Sequence, residues 1–171
     1  MVEIVKQNFE DNKKIYEKIE KRLRNKINSD VPIDQVGSTA VPNMYGKNIM
    51  DILIGANDKQ QFDELVKIIN DEGFVPSKKS KDEIYQFFSS TSDETKSGDI
   101  HIHLAIRNTS RYNEFIILRD YLLENPDEAS KYSDFKRYLI ENGIVDRREY
   151  KRFKSEYVAS LIEKAKKNRG D

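Results

Sequence analysis

The chain has no cysteine among its 171 residues. That absence excludes disulfides, thiolate zinc sites and cysteine nucleophiles together, and it suits a reducing compartment. Net charge is missing as well, because 30 Lys and Arg face 30 Asp and Glu. A chain so balanced sets up no global field to draw it onto nucleic acid or an anionic membrane, and a nucleic-acid partner is not expected. Long apolar runs are also lacking. Met1 to Lys6 has no signal-peptide core, and no later run approaches the ~20 residues that span a bilayer. The expectation is a soluble, cytoplasmic protein with no membrane association. A Walker phosphate loop is absent too, since no Gly-Lys-Ser/Thr ending follows Gly37 at the required spacing.

What is present fits one domain over residues 1–171, with a sheet-containing core at 1–107 and a helical part at 108–167. From Asn8 to Ile27, Ile15, Ile19, Leu23 and Ile27 recur every fourth position, which predicts an amphipathic helix laid on a sheet. Ile33 to Val36 and Ile49 to Gly55 read as strands, the second apolar on both faces except at Asp51. Asn57-Asp58 caps a helix that buries Phe62, Leu65, Ile68 and Ile69 and stops at Gly73. Strands follow at Ile84 to Ser89 and Asp99 to Ile106, joined by Thr91 to Gly98 as an exposed hairpin loop. Three helices complete the chain, at Tyr112 to Glu124, Pro126 to Glu141 and Asp146 to Lys167, with Lys164 to Asp171 expected to fray.

Two features carry chemistry. Gly37-Ser38-Thr39 forms a turn whose backbone N–H groups and hydroxyls can hold phosphate oxygens, and the turn lies just before the strand bearing Asp51. Ser38 could equally cap a helix or serve as an ordinary turn residue. The second feature is His101-Ile102-His103, which contains the only two histidines. Strand alternation puts both imidazoles on one face, where they can ligate a metal or move a proton. Asp51, costly to bury uncompensated, could complete a site with them, or it could simply accept hydrogen bonds from a histidine or from Lys47. On the late helices Tyr132 and Lys136 share a face, as do Tyr150 and Lys154. These pairs could clamp a base and a phosphate, although packing beneath a snorkelling lysine is the commoner arrangement. Arg119-Asp120 is most simply a surface pair, although the arginine could reach a phosphate.

Taken in order, Val36 to Pro42, Lys47, Ile49, Asp51-Ile52, Ile100 to His103, Arg119 to Leu122, Tyr132, Lys136, Tyr150 and Lys154 resemble the GrpB family of the nucleotidyltransferase superfamily. The resemblance runs from about Val31 to Val158. It implies an α+β fold: a nucleotidyltransferase-like mixed β-sheet flanked by helices, with a C-terminal helical subdomain. It also implies that Gly37-Ser38 holds a triphosphate and that Asp51 is the first carboxylate of a metal-binding strand. The second acid of active superfamily members would stand at Leu53, and the family's Pro after the lysine and Gly after Val41-Pro42 are Asn48 and Asn43 here. Asn tolerates the left-handed turn that Gly would supply.

The leading expectation is therefore a metal-dependent nucleotidyltransferase-like protein whose partner is a nucleotide or another phosphorylated small molecule. Asp51, His101 and His103 are the candidate catalytic and metal-binding residues, with Mg, Mn or Zn as the divalent ion and a nucleoside triphosphate as the second cofactor. Gly37, Ser38, Thr39, Lys47 and Arg119 are the candidate cofactor-binding residues. The alternative is a non-catalytic ligand-binding or accessory module that kept the fold and lost part of the metal site.

Overall fold

Side chains alternate across a strand, so a sheet strand with hydrophobes at every position must be covered on both faces. The computed structural model, which describes residues 1–90 and 99–170, shows how this chain does so. It runs β1 (Val5–Lys6), α1 (Phe9–Arg24), β2 (Ile33–Val36), a 3-10 helix η1 (Ser38–Ala40), β3 (Tyr45–Gly46) and β4 (Met50–Ala56). Then come α2 (Lys59–Asp71), β5 (Phe74–Lys81), β6 (Tyr85–Ser90), β7 (Ile100–Ile106), α3 (Ser110–Glu124), α4 (Pro126–Glu141) and α5 (Arg147–Arg169). The main sheet is ordered β2-β4-β7-β6-β5, with β4 and β7 parallel and the other pairs antiparallel. This is the expected α+β architecture of a mixed sheet flanked by helices.

One face of the sheet is closed by α1 and α2. Leu23 and Ile27 at the end of α1 and just beyond it, and Phe62, Leu65 and Ile69 from α2, pack on Ile52, Ile54, Ile102 and Leu104 of the two central strands. Each such side chain contributes about 1.5–3 kcal/mol when fully buried. The opposite face is covered by α3, where Tyr112, Phe115 and Ile116 lie against Val36, Leu53, Tyr85 and Ala105. Helices α4 and α5 continue that layer past the edge of the sheet and take up Val41 and Met44 from the segment after η1. The Tyr45 N–H donates to Ser133 Oγ at 2.8 Å, which ties this segment to α4. No helix among the described residues is long and apolar enough to cross a membrane.

Three details differ from the sequence reading. Ile15 is 46% exposed, and Tyr16 turns inward instead, its hydroxyl donating to the Ile33 carbonyl at 2.7 Å. A four-residue spacing drifts around a 3.6-residue helix, so Ile15 and Ile27 cannot share one stripe. Strand β5 was not expected because Pro76 and a run of Lys and Ser hide its pattern, composition typical of an edge strand. The C-terminal segment does not fray at Lys164. Helix α5 continues to Arg169 and closes on left-handed Gly170, because Ala165 is buried and Lys164 pairs with Glu128 at 2.9 Å. The proposed hairpin loop from Thr91 to Gly98 lies outside the described residues.

Candidate functional site

The register of β4 and β7 sets Asp51 beside His101 and Leu53 beside His103, so all four side chains share the face covered by the helical layer. Both imidazoles turn to Asp51. His103 Nε2 lies 3.0 Å from Asp51 Oδ1, and His101 Nδ1 lies 3.5 Å from the same oxygen. The carboxylate is half-buried, and burial alone would raise its pKa. The His101 and His103 contacts, followed by the charge of Lys154, outweigh that and hold Asp51 below the usual carboxylate range.

An ionised carboxylate can only accept, so His103 Nε2–H donates to Asp51, and Nδ1 on the other side of the ring meets the Tyr85 hydroxyl at 2.8 Å. Tyr85 is 3% exposed, and Phe115 closes over the His103 ring with centroids 4.5 Å apart. Both nitrogens of His103 are therefore engaged. His101 touches Asp51 through Nδ1 and packs edge-on against Phe87 at 4.8 Å. Tyr85 was missed in the sequence. Its only available signal was that Tyr85 and Phe87 alternate onto the face of a strand that neighbours the histidines.

The Gly37-Ser38 turn abuts the same carboxylate. Gly37 has φ +74°, and a Cβ there would stand 2.7 Å from Asp51 Oδ2, so only glycine fits at that position. Ser38 Oγ lies against Gly46, where a Cβ would come within 2.5 Å of it. Asn43 adopts φ 59°, as its expected tolerance of left-handed backbone requires.

With this geometry in place, comparison with known proteins decides the family. The sequence pattern of the family described as GrpB protein matches residues 1–164. The chain belongs to the GrpB family. It is 27% identical over 155 residues to the glutamate-rich protein GrpB of Alkalihalophilus pseudofirmus, covering 88% of each chain. It is 23% identical to a UPF0157 protein of Streptomyces coelicolor, covering 85% of this chain and 74% of that one. A UPF0157 protein of Pseudomonas aeruginosa is 29% identical, and the match spans 54% of its length. In structure, the conserved protein GrpB from Enterococcus faecalis superposes with a TM-score of 0.83 at 19% identity, covering 99% of this chain and 100% of that one. The Cid1 poly(U) polymerase, in a MgGTP-bound crystal structure, follows with a TM-score of 0.53 at 15% identity. That match covers 78% of this chain and 44% of Cid1, and it shows a shared nucleotidyltransferase-like fold.

Within this GrpB fold the expected site residues divide. Gly37, Asp51, His101 and His103 come together, while Ser38, next to Gly37 in the turn, directs its Oγ toward Gly46. Thr39 does not join them, because it is 1% exposed and its carbonyl and hydroxyl accept from Gln35 Nε2 at 2.9 and 3.3 Å. It belongs to the wall behind the turn. Arg119 is also occupied, pairing with Asp34 at 3.1 Å and Asp120 at 2.8 Å. Since Arg169 also reaches Asp120, this network fastens the end of α5 to α3 and β2.

Lys47 is half-buried with Nζ 5.3 Å from the centre of the Tyr150 ring, and burial, then the charges of Lys154 and Arg147, lower its pKa. Lys136 is 2% exposed, and its Nζ lies 4.5 Å from the centre of the Tyr132 ring. Tyr132 in turn stacks on Tyr157 at 5.3 Å. Among the described residues no set of three His, Asp or Glu side chains is arranged for a metal ion as it stands. Asp51 and the imidazoles are bonded to one another, and a cation would have to replace those bonds.

Proposed function

We propose that this GrpB-family protein binds a nucleotide or another phosphorylated small molecule at Asp51 and transfers a phosphoryl or nucleotidyl group from it. The observation that carries this reading is the close approach of the Gly37 backbone to Asp51, whose Oδ2 leaves no room for a Cβ there, while both histidines face Oδ1. On this reading the turn would seat the phosphate beside the ionised carboxylate. The donor set of one carboxylate and two imidazoles suits Mn or Zn better than Mg. A divalent cation held there by Asp51, His101 and His103 would neutralise charge on the transferring group.

The remaining roles fall to protein groups. Ser38 and its turn orient the phosphate, and Lys47 offsets negative charge that develops on it. In place of ligating the cation, one of the two histidines would serve as general base toward the acceptor, and His101, whose Nδ1 is the nitrogen facing Asp51, is the one we assign to it.

Leu53 supports a second reading, that of a binding or accessory module without turnover. It stands where active relatives of the superfamily carry a second acid, and it is 0% exposed beneath α3. One experiment separates the two. Divalent metals are crossed with the four nucleoside triphosphates in a thermal-shift matrix on the wild type and Asp51→Asn, and phosphate or pyrophosphate release is then measured. A ligand at ~100 times its Kd adds about 2.7 kcal/mol, a rise of a few degrees. A shift lost in Asp51→Asn with metal-dependent turnover supports transfer, and a shift without turnover supports the binding module. No shift in any combination overturns both.

A further inference from the structure

The segment of residues 1–7 runs from the helical layer to β3, the short strand that precedes β4 and Asp51. At one end the Val2 N–H donates to the Val145 carbonyl at 3.0 Å, and the Val2 side chain, 4% exposed, packs with Leu139 and Tyr150. At the other end β1 pairs with β3, setting Lys6 opposite Tyr45, and the Gln7 N–H donates to the Met44 carbonyl at 2.8 Å. A ladder of so few residues has little stability of its own. What fastens it is a side chain.

Gln7 is 6% exposed, and burying a primary amide is unfavourable unless its hydrogen-bonding groups are met. Here they are. Its Nε2 donates to the successive carbonyls of Gly46 at 3.0 Å and Lys47 at 3.1 Å, with the Val5 carbonyl farther off at 3.4 Å. Its Oε1 accepts at 3.2 Å from Nδ2 of Asn12, itself buried on α1. Apolar packing would hold these segments together at several offsets, whereas this network is satisfied at one. The amide therefore fixes β3 against β1 and α1.

The carbonyls it holds belong to residues that face the candidate site. A Cβ on Gly46 would stand 2.5 Å from Ser38 Oγ and 3.7 Å from Gln7 Nε2, so serine and glutamine meet at this glycine. The Lys47 carbonyl also accepts from the Ile49 N–H at 2.8 Å, closing the tight turn that leads into β4 and Asp51. The Lys47 ammonium lies over Tyr150, the residue that packs with Val2. Both ends of the segment thus support the same lysine.

We propose that Gln7 is a positioning residue for ligand binding: through the Gly46 and Lys47 carbonyls it sets Ser38 and Lys47 around Asp51, and residues 1–7 act as a strap on which that binding depends. This rests on the phosphate-binding reading above. Such coupling is reciprocal, so a strap that orders the turn for phosphate is itself tightened when phosphate binds.

The test is amide hydrogen exchange and proton–nitrogen NMR with inorganic phosphate as the probe, on the full chain of the wild type and Gln7→Glu. An ionised glutamate keeps the side-chain length and accepts from Asn12, but it cannot donate to either carbonyl. In the wild type, phosphate should shift the Gly37, Ser38 and Thr39 amides and also slow exchange at the Gln7 N–H. Gln7→Glu should bind phosphate at least about tenfold more weakly while β4 and β7 keep their protection. If phosphate shifts the turn of both proteins alike, the role of Gln7 is overturned and the phosphate site stands. If binding weakens only as protection is lost throughout the sheet, Gln7 serves the fold at large and the proposal is overturned. If phosphate moves the turn of neither protein, the phosphate reading falls and this inference with it. Should Gln7→Glu fail to fold, the wild type decides: slower exchange at the Gln7 N–H on phosphate binding supports the strap, and protection confined to the turn overturns it.

Discussion

The two faces of β4 make opposite use of the same strand. Met50, Ile52, Ile54 and Ala56 point into the layer of α1 and α2 and are at most 4% exposed. On the other face Leu53 is equally dry beneath α3, yet Asp51, two residues earlier and about 7 Å away, keeps a charge. The boundary between core and site thus runs across one face of one strand. Asp51 is tolerated because two imidazoles and Lys154 of the helical layer meet it there, whereas the polar strand neighbours of Leu53 are already engaged, Asp34 with Arg119 and His103 with Asp51. The difference teaches that a carboxylate on a core strand needs the partners that neutralise it as much as it needs its position on that strand.

The harshest way to break this contrast is Leu53→Asp. A carboxylate placed among Val36, Tyr85, Ala105 and Phe115 would stand beside the like charge of Asp34 and a His103 already bonded to Asp51, and we expect a loss of about 3–5 kcal/mol in denaturant unfolding. A folded Leu53→Asp protein that gained metal-dependent transfer would instead mark Leu53 as a vacated acid position.

The second test concerns the buried cation. Folded Lys136 titrates at about 7, below an unfolded lysine at about 10.4, so between those values the unfolded chain binds more protons. Stability should therefore rise with pH across that window, by at most about 1.4 kcal/mol per unit. Below it the burial penalty is present in full. Lys136→Met should remove the slope and be the more stable protein at pH 6, as thermal unfolding across pH would show. A slope unchanged by the substitution would place the titration elsewhere.

Gly37→Ala probes the turn. Left-handed backbone at φ +74° and a Cβ 2.7 Å from Asp51 Oδ2 should cost about 1–3 kcal/mol and displace the carboxylate. Urea unfolding together with ligand-induced thermal shifts checks both effects, and a variant that keeps full stability and binding would separate the turn from Asp51. The gentlest change is Tyr85→Phe, which takes one hydroxyl from His103 and should cost about 1 kcal/mol. Its diagnostic readout is the His103 ring in nitrogen NMR. The Nδ1 resonance should shift as it loses the Tyr85 hydroxyl while Nε2 stays bonded to Asp51, and an unaltered ring would leave Tyr85 a packing residue only.

Much of this was legible in the chain. The strand at Ile33 to Val36, the strand read as Asp99 to Ile106 and found one residue shorter, and the helix starts at Asp58, Pro126 and Asp146 follow from alternation and capping, which act within a few residues. The same alternation put His101 and His103 on one face. Edge strand β5 was hidden because proline and lysine serve there to prevent pairing, and α5 beyond Lys164 was hidden because its support comes from Glu128 and Asp120, far away in sequence.

The sequence by itself determined the elements, the composition limits and the residue types able to bind phosphate or metal, since these depend on local propensity and elementary chemistry. Only the tertiary structure decided which of them meet. Strand pairing delivered both histidines to Asp51, long-range ion pairs withdrew Arg119, Gln35 drew Thr39 into the wall, and helix packing buried Lys136 beside Lys154. The reason is physical: a side chain's charge, reach and partner are set by its surroundings after folding, and those surroundings come from segments dozens of residues apart.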